Sequence, residues 1–110
     1  MTQIQAPASS QAGKLSRYDV ADYLRSPDEM AAYLDAWFEE FPSDISGIAR
    51  AVGDIARAKG MTQVAKDSGL SRESLYRALS KEGNPSLSTI LKVLSAVGLR
   101  LSVSVATKDG

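Results

Sequence analysis

Apolar residues recur at helical spacing along most of the chain and at strand spacing only near its end. Met30, Leu34, Trp37, Phe38 and Phe41 fall at i, i+4, i+7, i+8 and i+11, one stripe of an amphipathic helix. Ser26-Pro27-Asp28-Glu29 precedes them and reads as a capping box with proline at the first helical position; Pro42 ends the run. Ser43 is placed to cap a second helix with inward residues Ile45, Ile48, Ala49, Val52, Ile55 and Ala56. Arg57 and Lys59 favour the negative end of its dipole, and Gly60 supplies its stop. The elements then shorten. Residues 62–68 make about two turns closed by Gly69, and Ser71 caps another short helix that turns Leu75, Ala78 and Leu79 inward. Gly83-Asn84-Pro85 breaks the chain. Ser86 then caps a helix with Leu87, Ile90, Leu91, Leu94 and Val97 on one face, ending at Gly98. From there Leu99, Leu101, Val103 and Val105 alternate with Arg100, Ser102, Ser104 and Ala106, a strand pattern over 99–105.

The remaining segments are less regular. Residues 1–13 have no period and a Gln/Ala/Ser/Pro-rich composition, the signature of a disordered tail. Leu15, Tyr18, Val20, Ala21, Tyr23 and Leu24 suggest an arm with one helical turn near 19–24, and 107–110 form a second tail. The organisation expected is therefore one domain over 14–106.

Length agrees, since 110 residues suffice for one modest core. The chain has no cysteine and no histidine, which excludes disulfides, thiol nucleophiles, imidazole bases and zinc sites built on either residue. There is no phosphate-binding Gly-rich loop, nucleophile elbow or EF-hand loop, and Glu39 and Glu40, adjacent on a helix, point about 100° apart. No enzyme, cofactor or metal is expected. Without an apolar run of about 18 residues or a secretory signal, the expectation is a cytoplasmic protein away from membranes. The net charge of zero conceals an imbalance: residues 1–50 carry four cations and eight anions, residues 51–110 nine cations and five anions. Two surfaces with different partners would produce that division, and so would chance.

The candidate chemistry lies in residues 62–80. Two short helices joined by a glycine turn form the economical unit called a helix-turn-helix. Ala65 is small where the second helix would cross, Gly69 suits positive φ, and Leu70 and Leu75 fill the angle between the helices. Arg72, Glu73, Tyr76, Arg77 and Ser80 then point outward, the first three on the half that enters a major groove in this motif. Arginine presents a fork to guanine, and glutamate accepts from cytosine. Ser71, Ser74, Lys66 and Lys81 are candidates for phosphate. Residues 57–82 hold six cations and three anions, a weak positive bias. A plain helical bundle with a solvated Arg/Glu face has the same pattern, and both readings stay open on the residues alone.

Residues 61–94, from Met61-Thr62-Gln63-Val64-Ala65-Lys66 through Gly69-Leu70-Ser71-Arg72-Glu73-Ser74-Leu75-Tyr76-Arg77-Ala78-Leu79 to Asn84-Pro85-Ser86-Leu87, resemble an Xre or lambda-repressor-type domain. More narrowly they resemble HigA-like addiction-module antidotes, the antitoxins of type II toxin–antitoxin pairs. Tyr23-Leu24, the helix from Ser26 and the run Ile55 to Met61 fit the same family, extending the likeness to about 17–103. The resemblance implies a compact all-α, five-helix lambda-repressor-like DNA-binding domain, here with an N-terminal arm or helix and a short C-terminal β-strand. It also implies a homodimer bound to double-stranded DNA at its own operator, and neutralisation of a RelE/HigB-like ribonuclease toxin. Carried over by position, Ser71, Arg72, Glu73, Ser74 and Arg77 are reading contacts with Tyr76 beside them. Gln63 is the candidate for a phosphate contact that many relatives make from a glutamine where this chain has Met61.

Two further surfaces draw partners. Trp37, Phe38 and Phe41 suit core packing, with partner docking as the alternative. The acids Asp35, Glu39, Glu40 and Asp44, together with the 14–25 arm, are a candidate face for a basic toxin. Leu99, Leu101, Val103 and Val105 would form an unpaired apolar edge in one chain, so pairing with a second subunit is expected. The competing reading has the segment frayed or packed on its own helices. The rival to a DNA-binding antidote is a protein-interaction module with a degenerate helix-turn-helix, or a stand-alone phage-type repressor.

Overall fold

The computed structural model describes residues 17–80 and 83–106, with side chains described from residue 20. Six helices occur among them: α1 Arg17–Asp22, α2 Pro27–Glu40, α3 Ile45–Lys59, α4 Met61–Ser68, α5 Arg72–Ala78 and α6 Leu87–Ala96. The all-α expectation stands. The arm forms a six-residue helix, beginning earlier than the single turn anticipated near 19–24. The tails at 1–13 and 107–110, the start of the arm at 14–16 and Lys81 lie outside the described residues.

Local chemistry sets each boundary. Ser26 caps α2 by accepting from the Glu29 amide at 3.2 Å, while the Glu29 carboxylate reaches back to the Arg25 amide at 2.7 Å, one residue earlier than a standard capping box. The cap of α3 is Asp44 rather than Ser43: its carboxylate accepts from the Gly47 amide at 2.9 Å. Ser71 and Ser86 cap α5 and α6 as expected, accepting from the amides of Ser74 and Thr89.

Helix α3 is the hub, packing against α1, α2, α4 and α6. Ala51, Val52, Ile55 and Ala56 supply its fully buried stripe, joined by Leu24, Met30, Leu34, Val64, Leu75, Val93 and Leu94. Trp37 and Phe38 are half-buried against this core, whereas Phe41 is exposed and meets Trp37 at 5.3 Å between ring centres. Asp54 interrupts the apolar set at 3% exposure. The Tyr33 hydroxyl donates to its carboxylate at 2.7 Å and Arg57 forms an ion pair with it, so this buried charge ties α2 to α3.

Two expectations fail near the end of the chain. Leu87 and Leu91, assigned to the inward face of α6, are exposed; the buried positions are Val93, Leu94 and Val97. The strand over 99–105 is absent: residues 99–106 carry no regular secondary structure, and among the described residues there is no strand. Leu99 packs on the core, whereas Leu101, Val103 and Val105 are exposed, Val103 at 97%. A strand exists through its ladder of hydrogen bonds, and one chain offers these residues no second strand.

Candidate nucleic-acid interface

The sequence forms a bent helix pair at α4–α5 because three devices coincide. Gly69 adopts the left-handed conformation (φ 79°, ψ 11°), which a side chain resists. The amides of Gly69 and Leu70 both donate to the Ala65 carbonyl, at 3.0 and 3.1 Å, closing α4. Ser71 then begins α5 two residues after the glycine. Leu75 is 0% exposed, Ala65 and Leu79 are buried, and Leu70 packs half-buried against the same cluster. The short helices are therefore held by shared apolar burial more than by their own propensity, which is marginal at this length.

With Leu75 inward, Ser71, Arg72, Glu73, Tyr76 and Arg77 are exposed and Ser74 is half-buried. The two arginines of α5 are organised differently. Arg72 donates to the Tyr76 hydroxyl at 3.2 Å while its guanidinium carbon lies 5.5 Å from the ring centre, a combined hydrogen bond and cation–π contact. Arg77 and Glu73 form a loose exposed pair at 3.7 Å, a weak restraint in water. On α4, Lys66 and Gln63 are exposed, and the Gln63 amide donates to Asp67 at 2.9 Å. Gln63, Lys66 and the α5 residues thus lie on neighbouring elements. Leu99, Leu101, Val103 and Val105 belong to the separate C-terminal segment.

Sequence reasoning missed a cleft beside this face. It encloses about 390 Å3 between α3 and α5, with Arg50, Arg57, Met61, Tyr76 and Ser80 among its lining. The i, i+7 spacing of the two arginines was a legible signal, but Arg57 was read as a partner of the helix dipole and Arg50 entered only the charge count. Among the described residues no cluster of acidic side chains is arranged for a metal, and no helix is long and apolar enough to cross a membrane.

The described residues thus form an all-helical fold in which α5 turns Arg72, Glu73, Tyr76 and Arg77 to solvent. Residues 14–105 match the family described as "Probable addiction module antidote protein", and the chain belongs to that family. A Haemophilus influenzae (strain ATCC 51907 / DSM 11121 / KW20 / Rd) protein bearing the description "Uncharacterized protein" is 46% identical over 90 residues, covering 82% of this chain and 91% of the relative. No solved structure matches.

Proposed function

We propose that this chain is the antitoxin of a type II toxin–antitoxin pair and that it also represses transcription by binding its own operator. In this reading α4 and α5 are a helix-turn-helix of lambda-repressor (Xre) type, and α5 is the reading helix. The observation that carries it is the division of α5 into a fully buried Leu75 and an exposed face of Arg72, Glu73, Tyr76 and Arg77. Together with the glycine-closed turn at Gly69 and membership of an addiction-module antidote family, that exposed face supports the reading role over a purely structural one.

The roles follow from residue chemistry. Arg72 and Arg77 present donors to guanine, Glu73 accepts from cytosine, and Gln63, Lys66, Ser71, Ser74 and Lys81 hold phosphates. No catalytic chemistry is assigned. Family membership supports a toxin as partner, and we assign a RelE/HigB-type ribonuclease to that role. The exposed acids Asp35, Glu39 and Glu40 offer the complementary charge for a basic toxin. The apolar residues of 101–105 and the exposed Leu87 and Leu91 support a homodimer, in which the alternation of the last segment gains a partner strand.

Salt titration on a duplex carrying the gene's own promoter tests the DNA role. An operator complex with several phosphate contacts loses affinity with a log–log slope of about −0.9 per contact. A flat response, or equal affinity for promoter and unrelated duplex at every salt, refutes it. The toxin-facing role is tested by Glu39→Lys with Glu40→Lys. These substitutions should weaken the toxin complex while sparing operator binding, and an unchanged toxin affinity removes that face from the account.

A further inference from the structure

The cleft between α3 and α5 has no place in the roles above, yet its geometry suits an anion. Arg50 and Arg57 stand two turns apart on α3 and both line it. Gly53 lies between them in the lining and contributes no side chain. Arg57 is not a freely moving cation: it pairs with Asp54, which is buried and takes a second hydrogen bond from Tyr33. A guanidinium has five N–H donors, so this pairing fixes the orientation of Arg57 without exhausting its capacity.

The opposite wall connects the cleft to the reading face. Tyr76 lines the cleft, and its hydroxyl is the group to which Arg72 donates. Arg50 and Arg57 thus line the cleft from α3 while Arg72 is held on the Tyr76 that lines it from α5, with Ser80 adding a hydroxyl and Met61 and Leu79 apolar surface. Arginine forks match phosphate oxygens, and an apolar surface suits the sugar ring attached to one. At about 390 Å3 the space accommodates one such unit.

We propose that this cleft holds a sugar–phosphate unit of the DNA backbone flanking the groove that α5 enters, with Arg50 and Arg57 as phosphate donors. The inference rests on α5 being the reading helix. It widens the interface from the helix pair to α3, and it gives the buried Asp54 a purpose in aligning Arg57. A clasp of this kind fixes the angle of α5 on the duplex and carries no sequence information of its own.

The test is a salt titration of the full-length chain and its Arg50→Gln and Arg50→Lys variants on the promoter duplex and on an unrelated duplex. Loss of one phosphate contact lowers the magnitude of the slope by about 0.9. The advantage of the unaltered chain over Arg50→Gln therefore shrinks about three- to fourfold between 50 and 200 mM salt. The loss is equal on both duplexes, and Arg50→Lys restores the slope. Thermal melting of each variant checks that the fold is intact. An unchanged slope in a folded Arg50→Gln protein overturns the proposal. So does a loss confined to the promoter, or a loss of affinity for the toxin with DNA binding intact. If the unaltered chain binds neither duplex, the reading of α5 itself has failed, a result distinct from a bound duplex that ignores Arg50.

Discussion

Replacing Asp54 with alanine should destabilise the protein more than any other substitution of a polar residue described above. The carboxylate is buried and satisfied from two sides, by the Tyr33 hydroxyl and the Arg57 guanidinium. A hydrogen bond to a charged group contributes about 1.5–3 kcal/mol. Orphaning one member of a fully buried ion pair costs about 3–5 kcal/mol. The Arg57 side chain is 21% exposed, so its released head can find water, and the lower part of that range applies. The expected total is about 4–5 kcal/mol, equivalent to a melting point lower by roughly 16–20 °C in a domain of this size. Urea unfolding at fixed protein concentration should show a reduced midpoint with an unchanged slope. The double variant Asp54→Leu with Arg57→Met, which removes both charges and keeps volume, should recover most of the loss. A cost below about 0.5 kcal/mol for Asp54→Ala, or a double variant as unstable as the single, would refute the reasoning.

Other expectations can be checked alongside. Leu75→Ala empties the fully buried position between α4 and α5 and should cost about 3–4 kcal/mol by urea unfolding. Gly83→Ala sets a new methyl against the backbone carbonyls of Arg77 and Ala78, which cannot move as a side chain can, so the melting point should fall clearly. Tyr76→Phe keeps the ring under Arg72 and deletes the hydroxyl acceptor; binding to unrelated duplex should persist while discrimination at the base read by Arg72 weakens. A chain ending at Arg100 retains Leu99, whose amide closes α6 on the Leu94 carbonyl at 2.8 Å. Sedimentation should show this truncated chain as a monomer, and an unchanged dimer would remove the role given to 101–105.

Most of the helical framework was legible because caps and stops are local. Ser26, Ser71 and Ser86 each accept from the amide three residues on, and Gly69 takes the left-handed conformation its place in the turn required. The cap of α3 was misplaced by one residue because Ser43 and Asp44 are both competent. The choice falls to Asp44, whose carboxylate and the Trp37 ring crowd over Gly47. Periodicity overstated the inward face of α6, since it reports apolar spacing without saying whether a neighbour covers each turn. Leu87 and Leu91 lie on the stripe with no such cover. The alternation at 99–105 has the same ambiguity: it specifies two faces, and only a partner strand converts them into a sheet. Asp54 and the α3–α5 cleft escaped notice because both depend on segments distant in the chain, Tyr33 bonded to Asp54 and α3 brought to face α5, that no local pattern encodes.

The central claim is that the exposed face of α5 reads DNA. Fluorescence anisotropy on a promoter duplex, comparing the unaltered chain with Arg72→Ala and Arg77→Ala, addresses it most directly. Each substitution should lower the preference for promoter over unrelated sequence by about 1–3 kcal/mol while the protein stays folded. Promoter affinity and preference left intact in both variants would contradict the account.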